Sequence, residues 1–362
     1  MKPLKVAIVS IGGAGYAHVA RFGKNPKACV RAVFDINENR LKAFSRLKSK
    51  DTYVATDYDD ILNDSEIDIV SICSPDHTHF NYAIKAIRAN KHVLIEKPMV
   101  VSLEECKEIQ EALFKTDITF GVHFQMRYVP CFNCARDAIM RGEIGVPFVV
   151  EADYIHDMRE RAALNDNWRI DRNSPQRVVL GASSHAIDLV RWAINDEVVE
   201  VFSYATHVGW PEYPDEDTVL TILKFKNGAV GKVLSTIASS RPQMNSLVVY
   251  GARGSITNNL LIGKGGVRKI IYVPGKDSIK NRFLNLLGTL CINMTRSAQN
   301  YPFSIYEHEA ASAALVDQFL KCVLQKKKFP ISFSEAAYTT QICLSCIESY
   351  EKGRPVQVKR IF

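Results

Sequence analysis

KVAIVSIGGAGYAHVARF, residues 5–22, runs from an apolar β-branched stretch through a glycine-rich turn into a helical pattern. The dinucleotide fingerprint G-x-G-x-x-G maps onto Ser10, Ile11, Gly12, Gly13, Ala14 and Gly15. Its second glycine lets the backbone approach a pyrophosphate, and its third lets helix and strand pack closely. Both are present, as Gly12 and Gly15, while Ser10 stands where the first would be. Asp35, 20 residues past Gly15, ends the next β-branched run. A carboxylate there accepts hydrogen bonds from a ribose 2′-hydroxyl and repels a 2′-phosphate. The stretch therefore predicts a dinucleotide site at Ile11–Gly15 and Asp35, taking NAD in preference to NADP, with Arg40 softening the rejection of the phosphate.

Outward from this unit, β-branched runs at 5–11, 30–36, 67–73, 92–98 and 118–124 alternate with helical patterns such as HFNYAIKAIRAN, 79–90. That rhythm predicts parallel strands with crossover helices, a doubly wound α/β domain of the Rossmann type over 1–125. Beyond it the pattern becomes a helix near 130–141, a strand at 147–155, a helix at 185–194 and paired strands. Asn227-Gly228 between alternating apolar runs marks a hairpin, and 246–258 reads as a second. Two helices, about 306–326 and 334–352, close an α+β domain over 126–362 whose sheet is mostly antiparallel.

The 362 residues are 47% hydrophobic, enough for two ordinary cores, which excludes disordered and fibrous classes. The apolar stretch at the N-terminus is too short for a signal peptide, and no run reaches the roughly 20 apolar residues of a membrane span. Nine cysteines are too few for a disulfide framework. We therefore expect reduced thiols and a cytoplasmic protein. Of the net charge of +7, all falls between 253 and 300, where eight Lys and Arg face one acid, Asp277. Two C-x-x-C pairs, Cys131/Cys134 and Cys343/Cys346, lie in helical pattern without a glycine knuckle, so they read as buried thiols and no metal is expected.

SICSPDHTHFNYAIKAIRANKHVLIEKPM, 71–99, resembles the strand–helix–strand signature of the glucose-fructose oxidoreductase / inositol dehydrogenase / rhizopine-catabolism (Gfo/Idh/MocA) family, with Glu96-Lys97-Pro98 as the hallmark triplet. The likeness continues through FQMRYVP (124–130), GEIGVPF (142–148), GASSHAIDLVRW (181–192), DTVLTILKFKNGAVG (217–231) and SCIESYEKGRPV (345–356). About 259–305 departs from it. The resemblance implies an NAD-dependent dehydrogenase acting on a hydroxyl of a sugar, sugar derivative or cyclic polyol, working as a homodimer or homotetramer. It also admits a glycosidase using transient oxidation, or a non-catalytic NAD-dependent regulator. No nucleic-acid partner is implied. Ser74, Pro75 and His79 would lie along the nicotinamide-ribose half of the cofactor, with Glu96 and Lys97 beside it. Lys97, His185 and Asp188 would be catalytic. Many members carry a catalytic aspartate four residues before the histidine, and here that position is Gly181.

The residues can be weighed without the name. Alcohol oxidation needs a base within about 3 Å of the hydroxyl oxygen. Lys97 suits this because it follows an apolar strand at its carboxyl end, where open α/β sheets bind ligands; alone, it reads equally as a surface lysine paired with Glu96. His185 follows a loop of small residues that lets a substrate come close. Trp168-Arg169 offer an aromatic face beside a guanidinium, suited to a sugar or an acidic substituent. Tyr154, His156 and Asp157 are further candidates, and Arg127 reads either as a substrate contact or as a residue packed between the two halves. In 280–294, Asn285, Thr289 and Asn293 form one narrow polar stripe on an otherwise apolar helix. It is expected to bury itself, or, with Lys276, Lys280 and Arg282, to meet an anionic ligand or membrane surface through 276–294.

Overall fold

β1 (Leu4–Val9) lies at the centre of a six-stranded parallel sheet, between β2 (Ala28–Phe34) and β4 (Ile69–Ile72). β3 (Tyr53–Val54), β5 (His92–Ile95) and β6 (Phe120–Val122) complete the order β3-β2-β1-β4-β5-β6. The computed structural model describes residues 2–45, 51–160, 168–171, 176–241, 243–263, 266, 268–270 and 305–362. The chain order reverses between β1 and β4, and a cleft opens there at the carboxyl ends of the strands. Val6 to Val9 are wholly buried because helices cover both faces. These are α1 (Gly13–Lys24), α2 (Glu38–Ser45), α3 (Tyr58–Asn63), α4 (His79–Arg88) and α5 (Leu103–Leu113). The five expected strands form, each ending before its apolar run does because the run continues into the functional loop. β3 was not anticipated; two residues carry no readable period.

The second sheet has nine strands among the described residues, in the order β14-β13-β12-β11-β7-β10-β9-β8-β15. They are β7 (Pro147–Ile155), β8 (Val198–Thr206), β9 (Thr218–Phe225), β10 (Val230–Thr236), β11 (Met244–Gly251), β12 (Gly254–Thr257), β13 (Leu260–Gly263), β14 (Arg268–Ile270) and β15 (Val356–Gln357). Both expected hairpins form, β9–β10 through Asn227-Gly228 and β11–β12, and only β7–β10 is parallel. One face packs on α6 (Pro130–Met140), α7 (Ser184–Ile194) and α9 (Phe333–Lys352), with Val219, Leu223, Phe225, Val233 and Leu247 in the core. Strict alternation leaves Leu220 and Ile222 on the other face, 39% and 42% exposed.

α8 (Ile305–Gln325) returns to the first sheet, where Leu315, Phe319 and Leu320 join its core together with Phe329. A Cβ on Gly121 of β6 would lie 2.6 Å from the Phe329 ring, so the helix and its loop press directly on the sheet. The C-terminal helices thus serve both cores. The expected helix at 280–294, with Lys276, Lys280 and Arg282, lies outside the described residues. Cys131, Cys343 and Cys346 are buried free thiols, each pushed upward in pKa by burial.

Candidate active site

The turn after β1 makes an anion cradle. Gly12 caps α1 without a side-chain hydrogen bond, and the first turn holds no acid, so its amides face the cleft with their partial positive charge unmatched. A Cβ on Gly13 would meet nothing within 4 Å, whereas one on Gly15 would lie 1.9 Å from the Ser10 carbonyl oxygen. The turn is therefore open toward a ligand and closed against the strand. Ser10 adopts φ 67°, the left-handed conformation that favours glycine at this position. Its hydroxyl lies 3.3 Å from Asp35 Oδ2, which also accepts the buried Ile11 amide at 2.8 Å. Asn37 N donates to the other carboxylate oxygen, and Arg40 Nη1 stands 3.6 Å from Oδ2. Asp35 is thus locked at the cleft edge, and the donor set fits a dinucleotide.

The cleft, about 530 Å³, is lined by Ser10, Asp35, Ser74, Pro75, Thr78 and Tyr82, with Trp168 reaching over from the second half. Trp168, expected on the substrate, instead stands 6.3 Å from the His77 ring on the dinucleotide side. His79 also departs from expectation. It is 1% exposed, and its ring nitrogens meet the carbonyls of Pro98 and Ser74 at 2.8 and 2.9 Å. It braces the two loops that form the cleft rather than facing a ligand. Glu96 is likewise drawn inward, between His18 and His123, at 3.1 and 3.2 Å.

Lys97 leaves β5 through a cis bond to Pro98 and donates from Nζ to the Gly181 carbonyl at 2.5 Å, joining the two halves. Gly181 lies in a π turn, Val179–Ser183, that leads into α7. The space beside Gly181 is filled from elsewhere in the chain. A Cβ on Gly181 would lie 2.7 Å from Gln176 Cδ. That amide donates to Asp76 Oδ2 at 2.9 Å and accepts from Arg169 Nε at 3.1 Å, so it cannot swing away freely. Lys97, Tyr154, Arg169, Gln176, Trp210 and Tyr213 line one pocket, and the Tyr213 hydroxyl donates to the Gln176 carbonyl. Gln176, Trp210 and Tyr213 were not picked out from sequence. They sit in no motif, and only the folding of 176–213 over the sheet brings them to Lys97.

His185 opens α7 and is 3% exposed, stacked on Tyr154 with ring centroids 5.7 Å apart and planes 11° apart. Its Nδ1 is buried without a hydrogen-bond partner. Burial, and then the positive charge of Lys97, hold its pKa well below the ordinary histidine value, so the ring is neutral. Asp188, expected beside it as a catalytic group, is a different kind of residue. Its two oxygens receive Arg127 Nη2 and Nε at 2.6 and 2.7 Å, and it is wholly buried. Arg127 also reaches Glu335 of α9 at 3.1 Å. Neither Asp188 nor Arg127 faces the pocket, because a bidentate pair satisfies both charges within the core. Asp157 pairs with Arg159 at 2.5 Å.

An α/β dinucleotide cleft joined by a lysine to an aromatic pocket on an antiparallel sheet defines a two-part oxidoreductase. Residues 4–124 match the model of an oxidoreductase family with an NAD-binding Rossmann fold, Gfo/Idh/MocA, and residues 132–257 match the family's C-terminal domain. The chain belongs to this family of NAD-dependent oxidoreductases. It is 26% identical over 371 residues to scyllo-inositol 2-dehydrogenase (NAD(+)) of Bacillus subtilis (strain 168), covering 99% of this chain and 98% of that one. It is 27% identical over 291 residues to levoglucosan dehydrogenase of Pseudarthrobacter phenanthrenivorans, covering 72% and 74%. A solved levoglucosan dehydrogenase in complex with NADH shares the fold, with TM-score 0.82 at 22% identity, over 99% of this chain and 100% of that one.

Proposed function

We propose that this enzyme oxidises a secondary hydroxyl of a cyclic polyol or sugar with NAD, residues 1–125 holding the cofactor and 126–362 the substrate. The observation that carries this reading is Lys97, which stands at the carboxyl end of β5 and lines the pocket with Tyr154, Trp210 and Tyr213. Aromatic faces with a few polar groups suit a ring bearing hydroxyls. Bound NAD supplies the hydride acceptor. Lys97, once it has given up its own proton, takes the hydroxyl proton as hydride leaves the adjacent carbon for the bound NAD, and the neutral His185, under Tyr154, orients the same oxygen. Arg169 and Gln176 read the neighbouring hydroxyls. Asp35 favours NAD, since a 2′-phosphate would press against its carboxylate. The relatives named above are dehydrogenases, which supports oxidation over elimination or a regulatory role.

The exposed face of the second sheet, with Tyr204, Leu220, Ile222 and Val230, supports a homo-oligomer built by face-to-face packing. The buried free thiols support a reducing, cytoplasmic setting. Among the described residues no helix is long and apolar enough to cross a membrane.

The test is NAD reduction across inositols, free sugars and anhydrosugars. With the best substrate, Lys97→Ala should lower kcat by about 100-fold or more while NAD affinity stays within a few-fold. A variant keeping most of its kcat removes Lys97 from the chemistry.

A further inference from the structure

His18, Glu96 and His123 are far apart in sequence and meet beneath the lysine turn. His18 hangs from α1, Glu96 follows β5, and His123 follows β6. The sheet's own hydrogen bonds fix the last two, Glu96 N to the Ile72 carbonyl at 2.9 Å and His123 N to the Ile95 carbonyl at 2.8 Å. Ser71 Oγ holds His18 Nδ1 at 2.8 Å, which turns Nε2 toward Glu96 Oε1 at 3.1 Å. His123 Nδ1 reaches the same oxygen at 3.2 Å but off the hydrogen-bonding direction. Its ring is 2% exposed, and neither nitrogen has a hydrogen-bond partner.

Two buried imidazoles crowded onto one carboxylate oxygen, one of them without hydrogen bonds, are poorly explained as packing, since buried polar groups are normally satisfied. They are well explained as ligands. Two donors on one ion lie a little over 3 Å apart, each aimed at the ion and not at the other, which is the relation of His123 to Glu96. One ligand atom from each of the three residues falls within 4.8 Å of the others. The Glu96 side chain is 17% exposed, so the cluster is not sealed. We propose that His18 Nε2, Glu96 Oε1 and His123 Nδ1 bind one first-row divalent cation, zinc before others, with an open coordination position. Two histidines and a glutamate are a ligand set that zinc accepts, and the Ser71 hydroxyl is the outer partner that holds one of the rings in place. The assignment does not depend on the substrate or on the role of Lys97.

The full-length protein, stripped with a chelator and dialysed, should take up one equivalent of Co²⁺ with the visible absorption of a low-coordinate site, and one equivalent of Zn²⁺ in competition with it. His123→Ala should weaken Zn²⁺ binding by at least about 100-fold, and Ser71→Ala, which removes only the outer partner, by about 10-fold. The absence of stoichiometric uptake by the wild-type chain would overturn the proposal, as would unchanged affinity in a His123→Ala protein that still unfolds cooperatively. Should His123→Ala not fold, Ser71→Ala decides: unchanged affinity in that variant counts against the site.

Discussion

Gly181 shows how one missing side chain reorganises a site. Its carbonyl takes the Lys97 ammonium, and its vacant Cβ space is occupied by Gln176, whose amide is tied to Asp76 and Arg169. Introducing a carboxylate by Gly181→Asp should therefore destabilise the chain by about 1–3 kcal/mol, the usual cost of overpacking. Gln176→Ala in the same chain should recover most of that loss. Urea unfolding of the two single variants and the double variant measures the coupling, and additive effects would mean that the two side chains do not compete. Asp188 is the opposite case, a residue whose importance is stability. Asp188→Ala would leave the buried Arg127 guanidinium with Glu335 as its remaining partner, a loss of at most about 3–5 kcal/mol. The variant should melt early yet keep its kcat/KM per folded molecule; a catalytic Asp188 would reverse that order.

Among the elements, the exposed face of the second sheet makes the clearest demand. β8, β9 and β10 alternate buried and exposed residues, and the exposed set includes Tyr204, Leu220, Ile222 and Val230. A solvated antiparallel face would carry polar residues there. Sedimentation at micromolar concentration should give a dimer or tetramer, and Leu220→Asp with Ile222→Asp should shift it to monomer with little change in unfolding midpoint. A wild-type monomer would remove the assembly. The lower boundary of α1 is as constrained as this face is open, since Gly15 packs on the Ser10 carbonyl and leaves no room for a side chain.

Across the whole molecule, buried and half-buried histidines set the acid limit. His308 is pushed down to about 4, first by burial and then by His123, and burial also lowers His92 and His185. His92 Nδ1 accepts the Thr119 amide at 2.8 Å, so that ring must keep a lone pair. Below the ordinary histidine pKa near 6.5 the unfolded chain takes up protons that the folded chain refuses, so stability falls as pH falls. Between pH 6.5 and 4 each such group should remove at most about 1.4 kcal/mol per pH unit. Urea midpoints across that range test this, and His308→Gln should flatten the slope; stability that rises toward pH 4 would contradict it.

The strand rhythm, the glycine turn with Asp35, the Asn227-Gly228 hairpin and the place of Lys97 at a strand end were legible in the sequence. These are written in contiguous residues whose period or turn chemistry acts locally. Tertiary structure alone decided that Asp188 pairs with Arg127, that His79 braces two loops, that Trp168 turns to the cofactor cleft, and that Gln176 fills the space at Gly181. It also brought His18, Glu96 and His123 together from a helix and two strand ends. Such pairings depend on how charged and polar groups are satisfied once water is excluded. Partners that are 61, 78 or 100 positions apart share no local signal, and only the packed sheets and helices bring them within hydrogen-bonding reach.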